Sequence, residues 1–180
     1  MNILAVYDHD QLQLPNKVLT HREDIDPLLA EFGVRLERLE QLPSVRDAGD
    51  DQDIIAAILP RLGNSGFDCA LECLAVQRIV ALPGYADEPQ KVEAEQHFQQ
   101  ATAKLLVSGA GVMCLHQGDR LLVLRCQRGD LLRLPERLGH WFVASAGQPC
   151  LIIRAAATEE GLAAEQTGDN IAARYQVLEL

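Results

Sequence analysis

Two textures of apolar patterning divide the chain. From Lys104 onward come short runs rich in Leu, Val and Ile: Lys104 to Ser108, Gly111 to His116, Arg120 to Cys126, Leu131 to Leu134, His140 to Ala144 and Cys150 to Ala155. Turn-forming stretches such as Gln-Gly-Asp, Arg-Gly-Asp and Ser-Ala-Gly-Gln-Pro separate them. Strands this short, at such even spacing, predict a sandwich or barrel. The N-terminal part is mixed. Ile3 to Tyr7 reads as a strand. Ile25, Leu28, Leu29 and Phe32 recur at helical spacing behind Thr20-His21-Arg22-Glu23, which has the spacing of a capping box, and Gly33 ends that helix. Val34 to Leu39 reads as a further strand. A second helix opens on the acids of Asp50 to Asp53, which are ordinary helix-start charges, and puts Ile54, Ile55, Ile58, Leu59 and Leu62 on one face. Pro60 distorts its last turn before Gly63 stops it. From Cys69 to Leu82 the chain is apolar almost throughout, and periodicity does not separate helix from buried strand. A last helix, Asn170 to Tyr175, packs outside.

Composition narrows the class. At 180 residues, 48% hydrophobic and 23% charged, the chain suits one folded domain, with an α/β portion in residues 1–90, the principal barrel motifs in 91–156 and a C-terminal segment in 157–180. Aromatics are only 4%, so Leu, Ile, Val and Ala must fill the core. The formal net charge of −10 repels phosphate backbones and anionic lipid, and no local basic patch offsets it, so neither nucleic acid nor membrane is an expected partner. No stretch is apolar and long enough to span a bilayer, and the start lacks the pattern of a signal peptide, which points to the cytoplasm. Five cysteines at irregular spacing agree with reduced, buried thiols. Cys69 and Cys73 share a face if their segment is helical, but no second pair completes a zinc site.

The most specific feature is Gly129-Asp130-Leu131-Leu132-Arg133-Leu134-Pro135, followed by His140 and Trp141. It closely resembles the second cupin motif, in which a turn glycine opens a strand, a proline closes it, and a histidine enters the barrel. The motif's usual glycine two residues after the proline is Arg137 here. Further stretches resemble one family, the acireductone dioxygenases of methionine salvage. These are Gly109 to Asp119, Pro135 through Phe142, Ile152 to Arg154, Glu160 to Leu162, Thr167 to Ala172 and, near the N-terminus, Phe32 to Arg38. The resemblance implies an α+β fold: a double-stranded β-helix (a cupin barrel or jelly roll) built mainly from the C-terminal half, with N-terminal strands and helices packed outside.

It also implies a metal site that this sequence does not supply. The family holds iron(II) or nickel(II) with three histidines and a glutamate, the first three ligands lying in a His-x-His, three residues, Glu, six residues, Gly frame. Here that frame reads Gln96-His97-Phe98, Thr102 and Gly109. Only His140 matches a ligand position. A phenyl ring cannot coordinate, and an amide with a hydroxyl binds first-row ions poorly. No stoichiometric metal is therefore expected. The alternative is an iron or nickel dioxygenase with a rearranged ligand set, His97 and His140 with Glu95 or Glu93. His97 lies one residue out of register, so on a strand it should face away from His140. By the resemblance, Lys104 stands where the family has an arginine near the substrate, Arg154 matches a family arginine, and His116 matches a histidine outside the metal shell. Lys104 and Arg154 are the candidate binding residues for a small anionic molecule. Trp141 reads as packing. The oligomeric state is open.

Overall fold

The computed structural model describes residues 1–45, 50–63, 72–79, 93–145 and 149–175. In chain order the strands and helices are β1 (Leu4–Asp8), β2 (Lys17–Leu19), α1 (Arg22–Glu31), β3 (Arg35–Arg38), α2 (Asp51–Gly63), β4 (Cys73–Ile79), β5 (Gln96–Phe98), β6 (Thr102–Ser108), β7 (Ala110–Gln117), β8 (Arg120–Gln127), β9 (Asp130–Leu134), β10 (Gly139–Ala144), β11 (Cys150–Ala156), β12 (Ala164–Gln166) and α3 (Ile171–Arg174). They form two antiparallel sheets, ordered β12-β5-β10-β7-β8-β1-β2 and β3-β9-β6-β11-β4. The expected α+β fold, a barrel with N-terminal elements added, is what the chain adopts.

Strand alternation sorts the core into three layers. Between the sheets, Met113, Leu115, Leu122, Leu124 and Phe142 of one face meet Leu106, Leu132, Leu134 and Ile152 of the other, and α1 closes that layer with Ile25, Leu29 and Phe32. The residues between them point outward. Ala103, Leu105, Val107, Leu131, Leu151 and Ile153 take the apolar face of α2, Ile54, Ile58 and Leu62. Tyr7, Cys114, Val123, Trp141 and Val143 take Ile171 and Tyr175 from the C-terminal segment. Burial pushes the thiols of Cys114 and Cys126 up, so both stay protonated packing groups.

The turn motif that resembles the cupin signature is structural. Gly129 has φ +94°, and a Cβ there would come within 2.7 Å of the Leu39 carbonyl oxygen. Buried Asp130 accepts hydrogen bonds from Asn2 Nδ2 (2.7 Å), the Gln127 amide (2.8 Å) and Arg38 Nη1 (3.0 Å), tying the first residues and β3 to the β8–β9 turn. Three expectations change. No capping box forms: His21 is the N-cap of α1 and its side chain makes no cap bond, while Arg22 anchors the start by reaching Asp26 and the Leu36 carbonyl. The described part of the undecided apolar segment is strand β4, so Cys73 opens a strand rather than a helix face; Cys69 lies outside the described residues. The α2 start is capped by the Asp50 carboxylate, which accepts the Asp53 amide at 3.0 Å, so that acid does more than supply charge.

Candidate functional site

The inward faces that carry the apolar layer also carry polar residues at one end of the barrel. Two residues before Leu106 on β6 is Lys104, and two before that is Thr102; two before Phe142 on β10 is His140; two after Ile152 on β11 is Arg154. Register completes the grouping. Lys104 and Arg154 are cross-strand partners, as are Gln96 and His140. Thr102, Lys104, His140 and Phe98 are all nearly inaccessible, at 3, 3, 1 and 2%.

Phe98 is the hub of this end. Its ring stacks on the His140 imidazole, with centroids 5.5 Å apart and planes 26° from parallel. The Lys104 Nζ lies 5.1 Å from the same ring centroid and the Arg154 guanidinium carbon 6.0 Å from it. Both basic groups thus lean on one aromatic ring. Burial, opposed by Glu93 and helped by Arg154, brings the Lys104 amine down to about 7. Arg154 is also lowered by burial. Glu93 acts electrostatically on both, and its carboxylate accepts a hydrogen bond from Gln77 Nε2 at 2.8 Å.

His140 has a fixed tautomer. Its Nδ1 lies 2.8 Å from the Leu138 carbonyl oxygen and must donate to it, which leaves a lone pair on Nε2. Burial and the neighbouring Lys104 cation hold the ring far below the ordinary histidine range, so it is neutral. The Nε2 atom is buried and finds no partner among the described residues, and the same holds for the Thr102 hydroxyl and the Arg154 Nε. Three such atoms at one end of one interior make this end the candidate site for a bound molecule.

A second polar cluster sits outside this interior. Buried Glu95 accepts from His116 Nδ1 at 2.5 Å and from the Thr167 hydroxyl. The His116 ring stacks on His9 (centroids 5.3 Å apart), and one ligand atom each from His9, His116 and Asp169 lies within 4.8 Å of the others. Among the described residues this is the grouping of three histidine, cysteine or acidic donors close enough to share an ion. Its donors are already engaged. His116 Nε2 is 3.2 Å from the Gly118 carbonyl oxygen, His9 Nε2 accepts from Arg174 at 2.8 Å, and an Asp169 oxygen takes the Ile171 amide at 2.8 Å. Glu95, His116 and Thr167 line an open groove of about 580 Å³ with Phe32, Pro135 and Arg137. His9, Asp169 and Thr167 come from segments more than a hundred residues apart in part, so no local pattern flagged them.

A model of the ARD/ARD' family matches residues 69–162. The acireductone dioxygenase of Pseudomonas paraeruginosa is 31% identical over 188 residues, spanning 99% of each chain, and that of Stutzerimonas stutzeri is 30% identical over 194 residues at the same coverage. The chain belongs to the acireductone dioxygenase family. In structure it is similar to the acireductone dioxygenase from Bacillus anthracis with a cadmium ion in its active centre, with a TM-score of 0.70 and 18% identity over 92% of this chain and 98% of that one. That likeness shares the fold.

The family frame can now be laid on the geometry. Phe98 and His140 meet inside the barrel; Gln96 pairs with His140 across strands; Thr102 is buried two residues from Lys104. His97, the out-of-register candidate, is turned to Glu165, with its Nε2 3.3 Å from that carboxylate. Glu95 is committed to His116 and Thr167, and Glu93 to Gln77. At the frame positions, only His140 Nε2 is a nitrogen donor of the kind a first-row ion takes. A phenyl ring packs against it. These residues do not fit a divalent ion.

Proposed function

We propose that this acireductone dioxygenase-family cupin has exchanged the family's metal-dependent oxygen chemistry for binding of a small anionic molecule at Lys104 and Arg154. The observation that carries the reading is the stacking of Phe98 on His140, which puts a ring without donors where the family resemblance places an imidazole. With no carboxylate at position 102, the charge available to an anion is that of buried Lys104 and half-buried Arg154, offset by Glu93 among the described acids acting on both. Two neighbouring basic groups, one of them buried, are costly to hold charged unless an anion completes them. The free thiols among the described cysteines support a reducing compartment, the cytoplasm.

The test is metal content together with anion binding. Protein expressed with added iron(II) or nickel(II) and then dialysed should carry no stoichiometric metal, and small carboxylates should shift the NMR signals of barrel residues in the parent and not in Arg154→Gln. One tightly held ion per chain, lost in His140→Gln and kept in His9→Gln, overturns the reading. It would favour the second one, an iron or nickel dioxygenase acting on acireductone or a related enediol through a rearranged set. The observations behind that second reading are the open His140 Nε2 and the names of the full-length relatives. Oxygen uptake with acireductone would establish it directly.

A further inference from the structure

Lys104 is placed for more than holding charge. It projects from β6 directly across from Arg154 on β11, and cross-strand neighbours are held about 5 Å apart at their backbones. Both side chains then lean on the Phe98 ring. None of the ion pairs among the described residues includes either one. A guanidinium keeps its proton under all ordinary conditions and presents a flat donor edge that suits a carboxylate. Burial first, and that guanidinium second, bring the Lys104 amine down to about 7, so near neutral pH it is shared between a cation that attracts a carboxylate and a free amine that is a nucleophile toward carbonyl carbon. Two more groups stand ready. The Thr102 hydroxyl is two residues along the same strand face, and His140 Nε2 holds a lone pair that no donor among the described residues satisfies.

We propose that Lys104 is a carbonyl-trapping amine, and that this end of the barrel takes a small 2-oxo acid, with the carboxylate on Arg154 and the adjacent carbonyl carbon bonded to Lys104 Nζ as an imine. The proposal rests on the anion-binding reading above and goes beyond it in naming the ligand class and a covalent step. The neutral Nζ forms a bond to the carbonyl carbon as the C=O π bond breaks, and one nitrogen proton passes by way of His140 Nε2 to the oxygen, giving a carbinolamine whose hydroxyl is hydrogen-bonded by Thr102. The second nitrogen proton follows the same route to that hydroxyl as the C–O bond breaks and water leaves. The nitrogen lone pair closes the C=N bond, and Thr102 and His140 end as they began. Amine and carbonyl become imine and water, with no change of oxidation state. A ligand with carboxylate and carbonyl on adjacent carbons fits because the two basic groups are immediate cross-strand neighbours rather than separated across the barrel.

The experiment is reductive trapping. Full-length protein is incubated with pyruvate or 2-oxobutyrate and sodium cyanoborohydride, then analysed by intact mass and peptide mapping. The chain has three lysines, Lys17, Lys91 and Lys104, so the mapping is simple. The expected result is a single reduced adduct on the peptide carrying Lys104, absent from Lys104→Arg, whose folding is checked by its melting transition. Modification spread equally over Lys17 and Lys91 overturns the proposal. Binding is followed separately by NMR with pyruvate and with lactate, which has no carbonyl. If both bind at Arg154 and pyruvate is not trapped at Lys104, the imine is wrong and the anion site stands. If neither binds, both readings fall. Should Lys104→Arg not fold, the site of the adduct in the parent still decides.

Discussion

His140 and His116 are two histidines on neighbouring strands whose surroundings drive them in opposite directions. His140 is enclosed and faces a lysine, and no acid among the described residues offsets these, so it is neutral. His116 hydrogen-bonds the Glu95 carboxylate, which outweighs its partial burial and raises its affinity for a proton. The consequence for stability follows by linkage. A histidine raised in the fold contributes stability that is fully present below its unfolded value of ~6.5 and is lost as pH climbs through the folded value. We therefore expect parent and His116→Gln to differ most in unfolding free energy near pH 6, with the gap closing as pH rises past the folded value. Denaturant melts across pH 6 to 9 measure it. A gap that is constant with pH would mean that Glu95 and His116 are held by geometry rather than by charge. His140 has the reverse sign. It is neutral in the fold and protonates in the unfolded chain below ~6.5, so it costs stability on the acid side.

At the scale of elements, the β9–β10 turn carries a residue against its preference. Arg137 has φ +59°, in the left-handed region, and its amide donates to the Phe98 carbonyl at 2.8 Å. The cupin motif that this turn resembles has a glycine at this position, and the backbone explains why: a Cβ costs about 1–2 kcal/mol there. Arg137→Gly should stabilise the fold by up to ~1 kcal/mol, the strain relieved being partly offset by the extra freedom of the unfolded chain. The check is a higher denaturant midpoint with an unchanged slope. Strands β6 to β11 were legible because each has at least five residues, is buried along almost its whole length and so reads as an apolar run, and ends at turns such as Gly109, Gly118 and Gly129, all at positive φ. Strands β2, β5 and β12 were not read. Each has three residues, too few for a period to register, and is defined by its pairing, β2 with β1, β5 with β10 and β12 with β5. The capping box failed for a related reason: its spacing is a local signal, and Arg22 reaching across to the Leu36 carbonyl anchors the helix start by a contact that local spacing does not encode.

Across the whole molecule, the two sheets make a barrel with an apolar end and a polar one, and the site depends on register between strands far apart in sequence. The frame of positions 96, 98, 102 and 140 was legible because it rests on spacing within short segments. The pairing of Lys104 with Arg154, the leaning of Arg154 on Phe98, and the His9–His116–Asp169 grouping were not, because each joins residues separated by about fifty or more positions. This frame also supports a constructive test. Gln96→His, Phe98→His and Thr102→Glu together would place two imidazoles and a carboxylate beside His140 Nε2, whose tautomer is already set by the Leu138 carbonyl for coordination. The backbone supports it: Gln96 pairs with His140, Thr102 pairs with Leu134, and residues 96 to 109 keep the family spacing without gain or loss. The expected result is one iron(II) or nickel(II) per chain in the triple variant and almost none in the parent, read by elemental analysis after dialysis. Burying the new polar groups where Phe98 now packs should cost the metal-free variant a few kcal/mol, and bound metal should restore the loss, visible as a melting temperature that rises with metal concentration. Oxygen chemistry need not return with the ion, because a pocket arranged around Lys104 rather than an arginine holds a substrate differently, and small misplacements are costly. A triple variant that folds and takes up no more metal than the parent would mean that Lys104 and Arg154 repel the ion more strongly than four ligands attract it. The polar end of the barrel would then be committed to anions by its charge, and not merely by the loss of its ligands.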